Sequence, residues 1–406
     1  MRLKIASCAM IFFYSLLASA EKNDTITIEG LLYSDGQPVS IQIINGKIFG
    51  IRHLPDDADI PRVYIAPGLI DLQVNGYMGI DFCDPALTAE DVRKVVKALW
   101  KEGVTTFFPT LTTNADDLLK RNFGVLAETL NDPEMTGSIP GFHLEGPYIS
   151  PVQGYRGDHP EKHIRKPDRQ EFEKYQQAAR GAIKLITVAP EIEGAIPFIA
   201  QCAKAGVVVA LGHHNASAEI VKEAVDAGAS MSTHLGNGCA NEINRHHNPI
   251  WPQLADDRLM PSIIVDGYHL TWEEVQTFYK VKGPDRIILV SDVVDLAGLP
   301  PGEYKKGDVT LLLTPEVVKY PAENVLSGAA SPIRLCVGNI MKFTGCNLND
   351  AIRMASTNPA KAVGLDNVGE IGLGKKADLI VFTIDREHLQ IQKTIVCGKI
   401  VYSRRQ

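Results

Sequence analysis

Histidines and carboxylates in this 406-residue chain recur at one kind of place, the end of a short apolar run. Gly141-Phe142-His143-Leu144-Glu145, Leu211-Gly212-His213-His214, Ser232-Thr233-His234-Leu235, Val265-Asp266-Gly267-Tyr268-His269 and Val290-Ser291-Asp292 share that layout. One carboxylate and two imidazoles form a usual protein set for a catalytic zinc, with the fourth position left open. Such an ion polarises a carbonyl and makes water nucleophilic at neutral pH. The reaction also needs a group that takes and returns a proton, and Asp292 stands where it can do so. A lone strand-end histidine is more often a hydrogen-bonded structural residue, and a strand-end Asp is commonly a helix cap. The joint pattern of position and residue type carries the signal. His143 and Glu145 share parity on an extended segment, so both stay open as the carboxylate-strand ligand. His214 points away from His213 and reads as a supporting residue.

These residues need a scaffold that gathers distant strand ends. Eight short runs qualify as strands: Leu69–Val74, Thr105–Leu111, Gly141–Glu145, Leu185–Val188, Val207–Leu211, Met231–Leu235, Ser262–Val265 and Ile287–Val290. Most are continuously apolar, as strands buried on both faces are. Amphipathic stretches lie between them, including Thr88–Glu102, Ala115–Leu130, Ala216–Ala227 and Thr271–Val281. Thr88 with Asp91 and Thr271 with Glu274 are expected helix starts. The alternation predicts a (β/α)8 TIM-type barrel, whose chemistry lies at the C-terminal strand ends. No Gly-x-Gly-x-x-Gly follows an early strand, which argues against a dinucleotide-binding open sheet. Both chain ends differ in texture. Thr25–Ile28, Val39–Ile43 and Lys47–Ile51 at one end, and Ala377–Phe382, Lys393–Cys397 and Gly398–Tyr402 at the other, read as short strands. Asn45-Gly46 is a tight hairpin turn. Neither block is large enough for its own core, so together they are expected to build one small β-domain.

Arg2 and Lys4 precede an apolar run from Ile5 to Leu17, closed by Ala18-Ser19-Ala20. This is the layout of a signal peptide, and export to a periplasm or the exterior is the expectation. The run is short for a bilayer span, and no later segment is long and apolar enough, so no stable span is expected after cleavage. The net charge of −7 excludes a broadly basic nucleic-acid-binding surface. Seven scattered cysteines without a Cys-x-x-Cys pair suit neither a disulfide framework nor a zinc ribbon.

The chain resembles the N-acetylglucosamine-6-phosphate deacetylase family of the amidohydrolase superfamily. The likeness rests on Pro67-Gly68-Leu69-Ile70-Asp71 followed by Gln73 and Asn75-Gly76, on His143-Leu144-Glu145-Gly146-Pro147, Gly212-His213, Thr233-His234-Leu235, Asp266-Gly267 with His269, and Ser291-Asp292. It continues through Met354–Ala360 and Gly372–Asp378. The resemblance implies a metal-dependent hydrolase barrel at 67–367, with a small β-sandwich built from 21–66 and 368–406 behind a signal peptide at 1–20. It implies hydrolysis of the acetamide of an amino-sugar substrate. It assigns Glu145, His213 and His234 to one divalent metal ion, with Zn²⁺ expected, and Asp292 to general acid/base work. His159, Asn237, Gly238, His269, Leu326, Ser327 and Gly328 match substrate-contact positions. Arg245 matches an arginine that holds the sugar phosphate across the interface of a homodimer. Gln73 and Asn75 stand where most amidohydrolases carry His-x-His, and neutral amides are poor zinc ligands, so a single-metal site is implied.

The chain departs from the family pattern at Asn237-Gly238-Cys239 and at His246–Trp251. Together with the export signal, these departures support a second expectation: an exported deacetylase of unphosphorylated or epimeric N-acetyl amino sugars. A third, a non-catalytic binding protein on the same fold, sits poorly with an intact Glu145, His213, His234 and Asp292.

Overall fold

The computed structural model describes residues 24–135, 137–306, 309–321 and 325–405. The signal-peptide layout at 1–20 lies outside them. Eight parallel strands form one sheet in sequential order. They are β1 (Leu69–Val74), β2 (Val104–Thr112), β3 (Phe142–Glu145), β4 (Ile183–Val188), β5 (Val208–Leu211), β6 (Met231–Ser232), β7 (Met260–Ile264) and β8 (Ile288–Val290). The first and last strands close on each other: Asn75 donates its backbone N–H to Val293 O at 2.9 Å and Asp292 to Gln73 O at 3.1 Å. Asp71 Oδ1 adds to the closure by accepting the Ser291 N–H at 3.2 Å. All eight expected strands are present, within a few residues of their expected bounds.

The barrel interior is layered. Ile70, Leu72, Phe108, Leu185, Ala210, Met231, Ile264, Ile288 and Val290 meet in one buried cluster. Side chains from so many strands can meet only inside the barrel. Above this floor the inward residues turn polar. His143 reaches Thr110 Oγ1 at 3.3 Å and Thr187 Oγ1 at 2.8 Å, and Thr187 meets Thr233 Oγ1 at 2.7 Å. The ionisable residues lie one step further along the strands, at the mouth. Outside, the larger core packs strand residues such as Phe107, Phe142 and Leu144 against helix residues such as Val92, Val96, Phe123 and Phe198.

The helices begin where the sequence signals them. Thr88 caps Ala89–Lys101 and Thr271 caps Trp272–Lys282, each in a capping box with Asp91 or Glu274. Such a cap contributes about 1 kcal/mol. The chain ends share a seven-stranded sheet, ordered Lys399–Ser403, His388–Val396, Leu379–Asp385, Tyr64–Pro67, Thr25–Leu32, Pro38–Ile44 and Lys47–His53. This sheet folds over on itself. The Asn45-Gly46 turn of one wing abuts Cys397 and Gly398 of the other, and Ile41, Ile43, Ile48, Leu379, Val381 and Ile395 fill the space between the wings. Asn45 and Gly46 both have positive φ, 48° and 78°, as a two-residue hairpin turn requires.

One element has no counterpart in the sequence reading. After β8, a four-stranded antiparallel sheet forms from Gly302–Lys306, Val309–Leu313, Val317–Tyr320 and Val325–Ala329. Lys306 Nζ pins it to the barrel by bridging Asp81 and Asp295, each at 3.0 Å. No disulfide joins the six described cysteines. Among the described residues no helix is long and apolar enough to cross a membrane.

Candidate active site

Glu145, His213 and His234 converge at the barrel mouth from the ends of β3, β5 and β6. Glu145 Oε1 lies 3.2 Å from His213 Nε2 and 2.9 Å from His234 Nε2, and the two imidazole nitrogens are 3.1 Å apart. Among the described residues these three are the His/Cys/Asp/Glu group arranged to hold a metal ion, and all are buried. His213 and His234 have positive φ, 53° and 29°. That conformation is uncommon for a non-glycine residue and swings the side chain out of the strand alternation.

The donor chemistry fits a cation. His213 Nδ1 lies 2.9 Å from the Tyr155 carbonyl oxygen, which only accepts, so the proton sits on Nδ1. The Nε2 lone pair then faces Glu145 and His234, and such an outer bond orients a metal-ligating histidine. Burial alone would raise Glu145, but its close contacts with the His213 and His234 imidazoles outweigh it and hold the carboxyl well below its ordinary range. The choice between His143 and Glu145 is resolved by depth. Both nitrogens of His143 are spent on threonine hydroxyls one layer below, and burial pushes it down to about 4.

Asp292 follows β8 with φ 53° and enters the same mouth. Burial, then the charge of Glu145, pushes it up to about 6. A resident cation acts in the opposite direction on a nearby carboxyl. The two amides at the end of β1 have found carboxylates. Gln73 Nε2 donates to Glu145 Oε1 at 3.0 Å, and Asn75 Nδ2 donates to Asp292 Oδ1 at 2.6 Å. Gln73 and Asn75 therefore hold the carboxylates of Glu145 and Asp292 in place.

The remaining expected residues surround this centre unevenly. His159 packs edge-on against His213 with centroids 4.4 Å apart. Its Nδ1 meets Thr113 Oγ1 at 2.8 Å, and burial, then His213, pushes it down to about 3. Asn237 carries a buried Nδ2 with no partner, a free donor beside the metal-ligand set. Gly238, at φ 60°, runs so close to His213 that a Cβ would sit 2.8 Å from Nδ1. His269 Nδ1 pairs with Asp266 Oδ2 at 2.6 Å. Leu326, Ser327 and Gly328 lie on the added sheet, where Gly328 approaches Val294 just beyond Asp292. Arg245 is exposed on the loop after β6 and is not part of the buried cluster. Thr113 and the Tyr155 carbonyl are contributors that the sequence reading missed. A backbone carbonyl leaves no mark in residue type, and Thr113 is one of several threonines in its strand region.

An eight-stranded parallel barrel with a Glu-His-His cluster and an aspartate at its C-terminal mouth defines a metal-dependent hydrolase of the amidohydrolase class. The Amidohydrolase family pattern matches residues 64–305 and 322–401. The N-acetylglucosamine-6-phosphate deacetylase of Lysinibacillus sphaericus is 30% identical over 395 residues, covering 96% of this chain and 98% of the relative. That of Bos taurus is 31% identical over 369 residues, covering 87% of each. The crystal structure of the Thermotoga maritima N-acetylglucosamine-6-phosphate deacetylase superposes with a TM-score of 0.82 at 30% identity, covering 93% of this chain and 100% of that one. A Mycobacterium smegmatis N-acetyl-D-glucosamine-6-phosphate deacetylase mutant, in complex with N-acetyl-D-glucosamine-6-phosphate, gives a TM-score of 0.83 at 26% identity, covering 94% and 100%. The chain belongs to the N-acetylglucosamine-6-phosphate deacetylase family of amidohydrolases, and it is a hydrolase acting on an amide bond.

Proposed function

We propose that this enzyme hydrolyses the acetamide of N-acetylglucosamine-6-phosphate, giving glucosamine 6-phosphate and acetate. The observation that carries this reading is the buried Glu145–His213–His234 convergence with Asp292 beside it. A divalent ion held by those three residues, with Zn²⁺ suiting the nitrogen and oxygen donors, would supply water activation and carbonyl polarisation. One ion per chain is the reading, because Gln73 and Asn75 offer amides already engaged with Glu145 and Asp292. Asp292 takes the proton from the attacking water and returns it to the nitrogen as the C–N bond breaks. Asn75 orients the Asp292 carboxylate for both transfers. His159 and the free Nδ2 of Asn237 face the acetamide, and Gly238 leaves room for the sugar.

The 6-phosphate would be held by Arg245 through charge-assisted hydrogen bonds, supplied across the interface of a homodimer. The departing loop at His246–Trp251 and the N-terminal signal layout favour one second reading, an exported deacetylase of unphosphorylated or epimeric amino sugars. Rates on N-acetylglucosamine and on its 6-phosphate, with wild-type and Arg245→Ala preparations of equal metal content, separate the two. Under the phosphate reading kcat/KM falls steeply for the 6-phosphate and little for the free sugar. No wild-type preference, or equal loss on both sugars, moves the reading to the exported, neutral-sugar deacetylase.

A further inference from the structure

Two loops meet over the barrel seam, one leaving β1 and one leaving β8, and a ladder of backbone contacts binds them together. Asn75 is held through both of its peptide groups. Its N–H donates to Val293 O at 2.9 Å, and its carbonyl accepts the Phe82 N–H at 3.0 Å. Between those contacts the first loop makes a small hairpin, with Gly76–Tyr77 paired against Ile80–Asp81. The hairpin is zipped to the second loop: the Met78 N–H donates to Ala297 O at 2.8 Å and the Gly79 N–H to Asp295 O at 2.7 Å. The approach is so close that a Cβ on Gly76 would lie 2.2 Å from Ile80 O and 3.0 Å from Asp295 Cα. Val293 itself pairs with Val74 on one side and with Ala329 of the four-stranded sheet on the other.

One cation closes this arrangement from outside. Lys306 Nζ, carried by the four-stranded sheet, lies 3.0 Å from Asp81 Oδ2 and 3.0 Å from Asp295 Oδ1. Asp81 ends the hairpin beside Phe82, whose N–H holds Asn75. Asp295 stands three residues after Asp292. Among the described residues no other cation pairs with either carboxylate. Asp295 is buried, so losing Lys306 would leave its charge uncompensated. The two carboxylates gathered by one ammonium would also repel each other once it is gone. Lys306 therefore sets the spacing of the two loops. A displacement of either loop shifts the donor, Asn75 Nδ2, against its acceptor, Asp292 Oδ1, 2.6 Å away. Glu145, His213 and His234 come from other strands and take part in none of these contacts.

We propose that Lys306, bridging Asp81 and Asp295, is a positioning residue for the proton transfer. It fixes the loops that carry Asn75 and Asp292, and so the aim of the Asp292 carboxylate. This rests on Asp292 being the acid/base, which Asp292→Asn tests by itself. Lys306→Met removes the ammonium and keeps the aliphatic stem. Lys306→Arg keeps a charge and donors for both carboxylates. Asp81→Asn cuts one arm while the buried Asp295 keeps its partner, so a measurement remains if Lys306→Met folds poorly. For each variant kcat and KM are measured, with bound metal and circular dichroism. The substrate is whichever of N-acetylglucosamine and its 6-phosphate the wild type turns over faster. Lys306→Met should lower kcat about tenfold, a loss suited to a displaced reacting group, with KM and metal content little changed. Asp81→Asn should lower kcat by less, and Lys306→Arg should recover most of the loss. An Asn75→Ala background separates positioning from a general structural role. There Lys306→Met should cost almost nothing further, because the two substitutions disable one unit. Unchanged kcat in Lys306→Met and Asp81→Asn, a loss that multiplies in full on Asn75→Ala, or a loss that follows metal overturns the inference. If Asp292→Asn loses turnover while the Lys306 and Asp81 variants keep it, the acid/base reading stands and the bridge does not position it. Near-normal turnover in Asp292→Asn removes the acid/base reading, and this inference with it.

Discussion

Asn75, just past β1, donates to Asp292, just past β8, at 2.6 Å, across the seam where the barrel closes. The contact joins the ends of the first and last strands at the carboxylate proposed to move the proton. Removing the proposed acid/base itself is the sharper test. Asp292→Asn should keep metal and fold but lose about 10²- to 10⁴-fold in kcat, because an amide cannot accept the proton. Asn75→Ala should cost about 10- to 100-fold, the worth of a hydrogen bond to a charged group. Near-normal turnover in metal-loaded Asp292→Asn would remove Asp292 from the mechanism.

Metal occupancy should follow the three converging ligands. His213→Ala or His234→Ala should leave the chain folded by circular dichroism and the site unable to retain an ion. Chelation of the wild type should abolish hydrolysis, and readdition of a divalent ion should restore it. Elemental analysis is expected to give one ion per active chain. Two ions would mean that Gln73 and Asn75 do not block a second site.

Asp71 gives a pH signature that involves stability rather than turnover. Burial pushes its carboxyl from 3.8 up to about 7. Between those values the folded chain binds this proton more readily than the unfolded chain. Stability attributable to Asp71 therefore falls as pH rises through the window and stays low above it. Asp71→Asn keeps the Oδ1 acceptor used by Gln73 N and Ser291 N and removes the titration. Urea unfolding of both proteins from pH 4 to pH 8 should show the variant gaining on the wild type as pH rises. A constant difference would show that Asp71 does not titrate in that range.

The barrel was legible because its strands are buried on both faces, which makes each a continuous apolar run such as Ile287–Val290. The helix starts at Thr88 and Thr271 were legible because a capping box is a local signal. The four-stranded sheet at 302–329 was not, since its short strands carry mixed polarity and are held by the remote Lys306–Asp295 and Lys306–Asp81 pairs. At the site, residue types at strand ends located Glu145, His213, His234 and Asp292. What strand alternation could not supply was depth. His143 and Glu145 share parity, and only the neighbouring threonines reveal that His143 lies a layer lower. The amides at Gln73 and Asn75 read as poor metal ligands. Their use as donors to Glu145 and Asp292 depends on the register between β1 and strands far along the chain.

Gly238 supplies a test that leaves every ligand in place. Its φ of 60° and its closeness to His213 are both incompatible with a side chain, because a Cβ would lie 2.8 Å from Nδ1 and 3.0 Å from Cε1. That nitrogen is the one committed to the Tyr155 carbonyl at 2.9 Å. A methyl group there must push the imidazole or break its outer bond, and the core beneath, built on Leu211 and Leu235, is untouched. Gly238→Ala should therefore weaken metal affinity by about 10- to 100-fold, as the loss of an outer partner does. Its thermal unfolding with metal removed should stay close to that of the wild type. Competition with a chelator of known affinity measures the first quantity and calorimetry of the stripped protein the second. Equal metal affinity in the two proteins would mean that the loop after β6 can retreat, and that Tyr155 alone sets the His213 ring.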